Sequence, residues 1–372
     1  MERIQIRPNP GDNAPNANLL WGESALVALR KLKESSVHSV ITELPVPGIG
    51  DNRIPSSWPR VRYTPMAGLK ASLVVPAQEI ALGDEASVED FIGHAVLIFR
   101  EIQRVLRSDG TLWFYVRDRY SENKQLAMIP HKLALALQAE GWILRNEVIW
   151  QKDNTTPESA KDRLTRTHGT LFFFAHPESS GKDSGYFYDA DAIREPHTSK
   201  DEKHLKSYNK DINMADGFSR RPELDKAWHP KGRNKRSVWS VNLGAYLGKS
   251  ISPWPSELVE TMVHASVSAG GCCSECGTQL LRRPEPGAGD KWVRGCDHET
   301  SIVIRPTVLD PFAGTAVTGR VAMDWGANFI GIDIDPEVLS EARARLEGLT
   351  HSRRALQNKE SPILDMFLGE SK

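Results

Sequence analysis

The fold of this chain is decided by the stretch Val308-Leu309-Asp310-Pro311-Phe312-Ala313-Gly314-Thr315, followed after a helix-length spacer by Phe329-Ile330-Gly331-Ile332-Asp333-Ile334-Asp335-Pro336. An apolar strand, a turn of small residues, a helix and a second apolar strand that ends on an acid make half of a nucleotide-binding βαβ unit. In such a unit the N–H groups of the turn approach a ligand at the helix N-terminus, and the acid binds ribose hydroxyls. Gly314 and Asp333 are 19 residues apart, close to the roughly 20 expected. The glycine turn alone would also fit other α/β proteins.

Helical and strand patterns alternate along much of the remaining chain. Residues 18–43 read as strand, helix and strand, and Ser87 precedes an amphipathic helix that reaches Leu106. After a turn at Ser108–Gly110, the predicted elements are a strand at Thr111–Val116, a helix at Pro130–Glu140 and a strand at Trp142–Trp150. This alternation predicts an α/β fold with a Rossmann-like, largely parallel sheet and helices on both of its faces.

Composition sets the outer bounds. The chain has 372 residues, 40% of them apolar, and a net charge of −1, so it can bury a substantial core in one or two domains. No apolar run approaches the roughly 18 residues of a membrane span, and Met1–Gln5 do not begin a signal peptide. We therefore expect a soluble, cytoplasmic protein without a membrane partner.

Residues 153–240 are polar and interrupt the alternation, apart from the apolar run Thr170–Phe174. They are predicted to be an inserted recognition segment rather than more sheet. Residues 200–236 hold eleven Lys or Arg against six Asp or Glu, a local positive surplus. The cations Lys231, Arg233, Lys235 and Arg236 would suit contacts to nucleic-acid phosphates. A solvated basic loop is the alternative.

The four cysteines are clustered. Cys273 and Cys276 form a Cys-x2-Cys pair, and Cys296 with His298 forms a Cys-x-His pair. In a reduced compartment this pattern predicts a structural, tetrahedral Zn²⁺ site with four protein ligands, which leaves Cys272 spare. The alternative is a surface insertion with free thiols.

Several motifs together resemble those of the permuted (β-class) amino-directed DNA methyltransferases, the N4-cytosine/N6-adenine family. Asp310–Gly314 reads Asp-Pro-Phe-Ala-Gly, which is similar to the family's S-adenosylmethionine motif. The further matches lie in the order of the permuted class, where the catalytic half precedes that motif: Arg104–Trp113 (Arg-x-Leu-x-x-Asp-Gly-Thr-Leu-Trp), Trp150–Lys152 (Trp-x-Lys), Tyr188–Pro196 and Gly232–Trp239. Many bacterial and phage members also carry a cysteine knuckle before the cofactor motif.

The resemblance implies S-adenosylmethionine as the cofactor. Its implied contacts are Asp310, Phe312, Gly314, Thr315, Asp333 and Ser252. Two departures from the family pattern weaken this half of the site. Ala316 stands where the family has a second glycine, and its methyl group is expected to crowd the turn. Ile251 replaces an aromatic residue that would line the adenine pocket.

The catalytic tetrapeptide implied by the resemblance is degenerate. The family has Ser, Asn or Asp followed by Pro-Pro-Tyr, whereas this chain has Glu43, Leu44, Pro45 and Val46. In the family the target base is flipped out of the duplex, its amine donates to the first side chain, and the aromatic residue stacks on the base. The longer side chain of Glu43 places its carboxylate differently, and a misplacement of about 1 Å can slow a reaction roughly 100-fold. Val46 removes the stacking surface.

The resemblance also predicts the organisation of the chain. Residues 1–152 form a catalytic half, 153–240 a DNA-recognition insertion, 241–350 a cofactor-binding half that includes the zinc knuckle at 271–300, and 351–372 a flexible tail. Double-stranded DNA is the implied partner, and a homodimer stays open beside a monomer. The tail peptide Ile363–Phe367 is similar to peptides that bind bacterial sliding clamps, unless it packs on its own domain.

Two functions follow from these observations. The first is a site-specific DNA methyltransferase that moves a methyl group from S-adenosylmethionine to an exocyclic amino nitrogen of cytosine (N4) or adenine (N6). The second is a catalytically weakened or inactive DNA-binding relative that keeps the fold and the recognition segment.

Overall fold

A computed structural model of the chain describes residues 2–6, 15–45, 54–155, 157–179, 185–198, 229, 231–244, 255–285 and 289–357, with side chains described up to residue 348. The strands are β1 (Glu2–Ile6), β2 (Ala17–Trp21), β3 (Val37–Glu43), β4 (Ser56–Trp58), β5 (Val61–Tyr63), β6 (Leu73–Val75), β7 (Gln78–Ile80), β8 (Leu106–Tyr115), β9 (Ile143–Gln151), β10 (His168–Ala175), β11 (Val238–Ser240), β12 (Cys272–Cys273), β13 (Leu281–Glu285), β14 (Gly289–Val293), β15 (Val303–Ile304), β16 (Thr307–Asp310) and β17 (Asn328–Asp333). The helices are α1 (Ala25–Arg30), α2 (Val88–Val105), α3 (Ile129–Ala139), α4 (Ser256–Ser266), α5 (Val317–Trp325) and α6 (Leu339–Gln357). Across these described ranges, no helix is both long and apolar enough to cross a membrane.

Nine strands form the central sheet, in the order β1-β2-β17-β16-β3-β8-β10-β9-β11. The five strands from β2 to β8 in this order are parallel to one another, whereas β1 and β10 run antiparallel to their neighbours. The predicted α/β class with a largely parallel sheet is therefore confirmed, as a mixed sheet. Because neighbouring parallel strands end at one edge, the carboxyl ends of β16, β17, β3 and β8 lie together.

The sheet is covered on both faces, as predicted. One core contains α1, α2 and α3, with the aromatic side chains of Phe91, Phe99 and Phe114 buried. The opposite core contains α4, α5 and the start of α6. Helix α2 begins where the sequence predicts, because the Ser87 hydroxyl accepts a hydrogen bond from the Asp90 N–H at 3.0 Å.

Residues 54–80 add the short strands β4 to β7, which pack on α2. Trp58, Val61 and Val75 are buried there. The approach is close at Gly93, where a Cβ atom would lie 2.5 Å from a methyl group of Val75. This segment therefore thickens the α2 face of the sheet rather than extending the sheet.

The prediction that residues 153–240 lie outside the sheet is wrong in two places. The apolar run Thr170–Phe174 is buried in β10, a central strand between β8 and β9, and β11 pairs with β9 at one edge. A short continuous apolar run is typical of a strand buried on both faces. The predicted turn at Ser108–Gly110 is likewise part of β8, where the register against β3 shifts.

Candidate functional site

Three acidic side chains meet at the carboxyl edge of the sheet. Glu43 ends β3, Asp310 ends β16 and Asp333 ends β17. The strand order places β16 between the other two strands. The sequence predicted the acids of β16 and β17 as one site and Glu43 as another, and the topology makes them neighbours.

Asp310 organises the turn that follows β16. Its Oδ1 accepts hydrogen bonds from the Thr42 hydroxyl at 2.7 Å and from the Phe312 N–H at 3.1 Å. Its Oδ2 accepts from the Thr318 hydroxyl at 2.8 Å. The side chain is buried, and burial raises the pKa of the carboxyl group to about 6, although these hydrogen bonds lower it. Asp310 therefore fixes the shape of the turn and connects it to β3.

The glycine turn is defined here as residues 310–316. Gly314 has a φ of +47°, and among the described residues other than its chain neighbours no atom lies within 4 Å of the position that its Cβ would occupy. Its N–H donates to Asp333 Oδ2 at 2.8 Å, while Asp333 Oδ1 accepts from the Asp335 N–H at 2.9 Å. Burial raises the pKa of Asp333 to about 6. A carboxylate beside an open glycine turn at a helix N-terminus fits a nucleoside with ribose hydroxyls.

The other residues of the turn face inward. Ala316 adopts a left-handed conformation (φ +57°), and its side chain is fully buried in the core beneath α4 to α6. Its methyl group therefore packs in the core. The cost of alanine at this position is backbone strain, since residues with a Cβ rarely adopt this conformation. The Thr315 carbonyl and hydroxyl both accept from the Arg345 guanidinium on α6. Phe312 is partly buried against the α2 core.

A charged pocket, defined here as Glu43, Arg117 and Lys152, lies beside this turn. The Glu43 carboxylate is 3.4 Å from Arg117 Nε, and its side chain is 14% exposed. Burial raises the pKa of Glu43 to about 7, against the opposing charges of Arg117 and Lys152. Glu43 can therefore exchange a proton near neutral pH.

Lys152 completes the pocket from the end of β9. Its Nζ lies 3.8 Å from the centroid of the Trp150 ring and 5.5 Å from that of Tyr115. Burial, followed by the charge of Arg117, lowers the pKa of Lys152 to about 8. Sequence analysis did not single out Arg117, and it noted Lys152 only as the last residue of the Trp-x-Lys match. Lys152 directly follows β9 and Arg117 lies two residues after β8, and this position just past a strand end is the signal that could have found them.

Two other members of the predicted tetrapeptide can be placed. Leu44 is 1% exposed within the α2 core, and its N–H donates to the Tyr115 carbonyl at 2.9 Å. Its side chain therefore completes the core, and the assignment of Leu44 to the catalytic tetrapeptide stays a prediction. Pro45 is partly buried beside it.

Three predicted features lie outside the described residues: Val46, Ser252 and the tail peptide Ile363–Phe367.

The predicted phosphate-binding cations are held by acids. Glu195 carboxylate oxygens lie 3.1 Å from Arg233 Nε, 3.7 Å from Lys235 Nζ and 3.0 Å from Arg236 Nε. Gly232 is required at this crossing, because a Cβ there would lie 2.2 Å from the Glu195 carbonyl oxygen. Three cations around one carboxylate leave a positive surplus.

Lys231 belongs to a separate group of charges. Its Nζ is 3.6 Å from Asp191 and also pairs with Asp290. Asp290 in turn contacts Arg282 at 3.0 Å. Lys231 therefore joins residues near β11 to the β13–β14 hairpin.

The four predicted metal ligands lie together. The thiol sulfurs of Cys273, Cys276 and Cys296 and a ring nitrogen of His298 are all within 4.8 Å of one another. Tetrahedral zinc with Zn–S bonds of about 2.3 Å separates two sulfurs by about 3.8 Å, so the cluster fits such an ion with little adjustment. Cys272 is fully buried outside this set, and burial raises the pKa of its thiol.

Comparison with known proteins identifies the family of this chain. Residues 68–344 match the N6_N4_Mtase family model, described as DNA methylase. The chain belongs to this family of S-adenosylmethionine-dependent DNA amino-methyltransferases.

Individual relatives match over nearly the whole chain. Type II methyltransferase M.XycI of Xanthomonas campestris pv. cyanopsidis is 30% identical over 94% of this chain and 93% of its own. Type II methyltransferase M.Cfr9I of Citrobacter freundii is 28% identical over 90% and 89%, respectively. The solved structure of PvuII DNA methyltransferase (cytosine-N4-specific) matches with a TM-score of 0.52 and 14% identity over 94% of this chain and 95% of that chain. This last likeness concerns the fold alone.

Proposed function

We propose that this chain methylates an exocyclic amino nitrogen of cytosine (N4) or adenine (N6) at a specific sequence of double-stranded DNA, as part of a type II restriction-modification system. The observation that carries this proposal is the 2.7 Å hydrogen bond from Thr42 to Asp310. It joins the glycine turn to the residue that precedes Glu43, so that a cofactor site and an acceptor site share one wall. S-adenosylmethionine, when bound, supplies an electrophilic methyl group.

The residues of the glycine turn suit this cofactor. Asp333 offers a partly buried carboxylate to ribose hydroxyls, and Gly314 leaves the space in which a nucleoside can approach the backbone. Both carboxylates accept hydrogen bonds from protein donors on each oxygen. Asp310 is only 2% exposed and therefore acts indirectly, whereas Asp333 is partly exposed.

In the charged pocket, Glu43 takes the place of the family's first catalytic residue. As a carboxylate it accepts a hydrogen bond from the amino group of a flipped base, and it accepts the proton which that nitrogen loses when the new N–C bond forms. Arg117 and Lys152 favour its charged form. A base that approaches must share Glu43 with Arg117, which lies 3.4 Å away.

That ion pair favours a second candidate, a DNA-binding relative with weak or absent methyl transfer. Calorimetry with S-adenosylmethionine, combined with tritium transfer from the labelled cofactor to plasmid DNA of mixed sequence, separates the two. We expect binding and transfer. If the protein binds the cofactor but transfers no methyl group, even at pH 8.5, the second candidate is supported and the first is overturned.

We further propose that the insertion contacts DNA phosphates through Arg233, Lys235 and Arg236. Arg236 has a side chain that is 66% exposed, and the carboxylate of Glu195 presents the three cations together. Replacing Arg236 with Ala should weaken binding to all DNA sequences about equally and reduce its salt dependence. A change confined to one sequence would assign this residue to base recognition instead.

We also propose that Cys273, Cys276, Cys296 and His298 hold a structural zinc ion. Four protein ligands leave no open position for chemistry, so the metal would stabilise the segment that carries β12 to β15. Zinc released from purified protein by a mercurial reagent should amount to one ion per chain. Cys276→Ser should lose that zinc and lower the melting temperature, whereas Cys272→Ser should keep it. Equal zinc content in both variants would refute this ligand set.

A further inference from the structure

The loop between β9 and β10 exposes an apolar side chain near its β10 end. Leu164 is 89% exposed, more than the other large apolar residues among the described residues, of which Ile302 follows at 64%. Exposed leucines are common on protein surfaces and need no function by themselves. The ion pairs and cations around Leu164 distinguish it from the other exposed apolar residues.

Ion pairs within the loop hold the residues on both sides of Leu164. Glu158 accepts a hydrogen bond from Arg163 Nε at 3.1 Å and another from the Arg166 N–H at 3.3 Å. Asp162, two residues before Leu164, accepts a hydrogen bond from Lys124 Nζ at 2.7 Å. Leu164 is therefore presented by a braced loop.

The loop also contacts the segment that follows β8, at the same edge of the sheet. The Arg163 guanidinium lies 3.9 Å from the centroid of the Tyr120 ring. Arg166 Nη2 is 4.0 Å from Asp118 Oδ2. Asp118 directly follows Arg117, the partner of Glu43, so the loop adjoins the charged pocket.

The ends of the loop confirm this position. The Lys152 N–H donates to the Thr167 carbonyl at 2.8 Å, so the residue that completes the pocket is paired with the last residue of the loop. Leu164 is only three residues from Thr167. The end of the loop that carries Leu164 therefore lies next to the charged pocket.

The charges around Leu164 complement DNA. Lys161 and Arg163 are exposed, and Arg166 is 25% exposed on the pocket side. The exposed Asp162 between the first two is paired with Lys124. Cations that flank an apolar side chain suit a duplex, because phosphates line both sides of each groove and the base stack between them is apolar. A protein partner would give no comparable reason for this arrangement beside the charged pocket.

We propose that Leu164 is a wedge that enters the base stack while the target base is turned into the pocket. This inference rests on the proposed function, since it assigns a positioning residue to the base-flipping step. Apolar side chains inserted between base steps unstack and kink the duplex, and the unstacking required for flipping is then partly supplied by the protein.

The test uses the full chain with relaxed plasmid DNA of mixed sequence and needs no knowledge of the recognition site. Insertion of a wedge unwinds DNA, so closure by a topoisomerase in the presence of the protein leaves plasmid with a lowered linking number. Tritium transfer and plasmid affinity are measured on the same preparations. The variants are Leu164→Ala, the conservative Leu164→Met, and Leu135→Ala on α3 as a matched exposed leucine.

We expect Leu164→Ala to abolish unwinding and slow methyl transfer by about tenfold or more, with plasmid affinity within about threefold, because phosphate contacts carry most of that affinity. Leu164→Met and Leu135→Ala should resemble the wild type. Unwinding by Leu164→Ala, or a wild type that does not unwind, overturns the wedge. A wild type that unwinds but transfers no methyl group overturns the proposed function and leaves the wedge standing.

Discussion

The glycine turn and the charged pocket share an edge of the sheet but differ in how their polar groups are satisfied. In the turn, Asp310 and Asp333 are held by hydroxyl and backbone N–H donors at 2.7 to 3.1 Å. In the pocket, Glu43 faces the cations Arg117 and Lys152. Neutral donors give the turn one fixed geometry, whereas opposed charges leave the pocket sensitive to pH and to a ligand that competes for Glu43.

Under the proposed function, this difference separates the cofactor half of the site from the acceptor half. The turn keeps the sequence Asp-Pro-Phe-Ala-Gly, and the side chain of Ala316 packs in the core. The pocket is built around Glu43, an acid that faces Arg117 and Lys152. The following predictions test the contrast.

Replacing the buried Leu44, next to Glu43, with proline should destabilise the fold. Leu44→Pro removes the N–H that donates to the Tyr115 carbonyl and part of a buried side chain. We expect a loss of roughly 3 kcal/mol in the free energy of unfolding, from the lost hydrogen bond and the cavity together, measured by urea denaturation. A stability equal to wild type would show that residue 44 does not contribute to the core as described.

The turn should depend on Asp333 for cofactor binding. Asp333→Ala removes the acceptor for the Gly314 N–H and the proposed partner of the ribose hydroxyls. Affinity for S-adenosylmethionine should fall roughly 100-fold, since hydrogen bonds to a charged group contribute about 1.5–3 kcal/mol. Calorimetry tests this, with the exposed Asp324→Ala on α5 as the control. An unchanged affinity of Asp333→Ala for S-adenosylmethionine would show that the cofactor does not bind at this edge of the sheet.

The link between the two regions can be broken by Thr42→Val. Asp310 then loses a donor while it stays buried, and we expect a loss of about 2 kcal/mol of stability. The folded-state pKa of Asp310 is about 6, already above its unfolded value, and it should rise further. Its contribution to stability is present at low pH and is lost as pH rises through the folded pKa. The loss should therefore be larger at pH 8 than at pH 5.

Thermal melts at the two pH values measure the effect of Thr42→Val. Thr261→Val on α4, where the hydroxyl makes an exposed contact of 3.5 Å, serves as control. An equal loss at both pH values would contradict the role given to Asp310.

The ionisation of Glu43 in the pocket should determine how the rate of methyl transfer depends on pH. If Glu43 acts as a carboxylate, the rate should rise with pH through about 7, the pKa to which burial raises it. Glu43→Gln should be about tenfold slower at pH 8, because a neutral amide accepts a weaker hydrogen bond, and its rate should show no such rise. The same rise in Glu43→Gln would assign the ionisation to another group, for which Lys152 is the next test.

The smallest effects concern the backbone of the turn. Gly314→Ala should cost about 1–2 kcal/mol in the free energy of unfolding, because its positive φ is strained for alanine and the new methyl group gains no contact with the described residues. Ala316→Gly should stay within about 1 kcal/mol of wild type, because relief of the same strain is offset by the loss of a buried methyl group. Urea denaturation compares them. Equal effects would show that burial does not distinguish the two positions.

Much of the fold follows from local patterns. The βαβ unit with Asp310 and Asp333 and the cap at Ser87 depend on residues close in sequence, and each lies where the sequence predicts. Thr170–Phe174 misled the prediction, because a short apolar run carries no information about the strands that flank it. Its place between β8 and β9 is set by long-range pairing.

By itself, the sequence determined the α/β class, the glycine turn and the four residues of the cysteine cluster, because short-range spacing fixes strand ends, turn geometry and ligand pairs. Only the tertiary structure decided that Arg117 and Lys152 oppose Glu43, that Leu44 belongs to the core, and that Leu164 stands beside the pocket. These outcomes depend on which strands become neighbours and on which side chains lose water. Both are properties of the packed sheet, where residues more than a hundred positions apart share one environment.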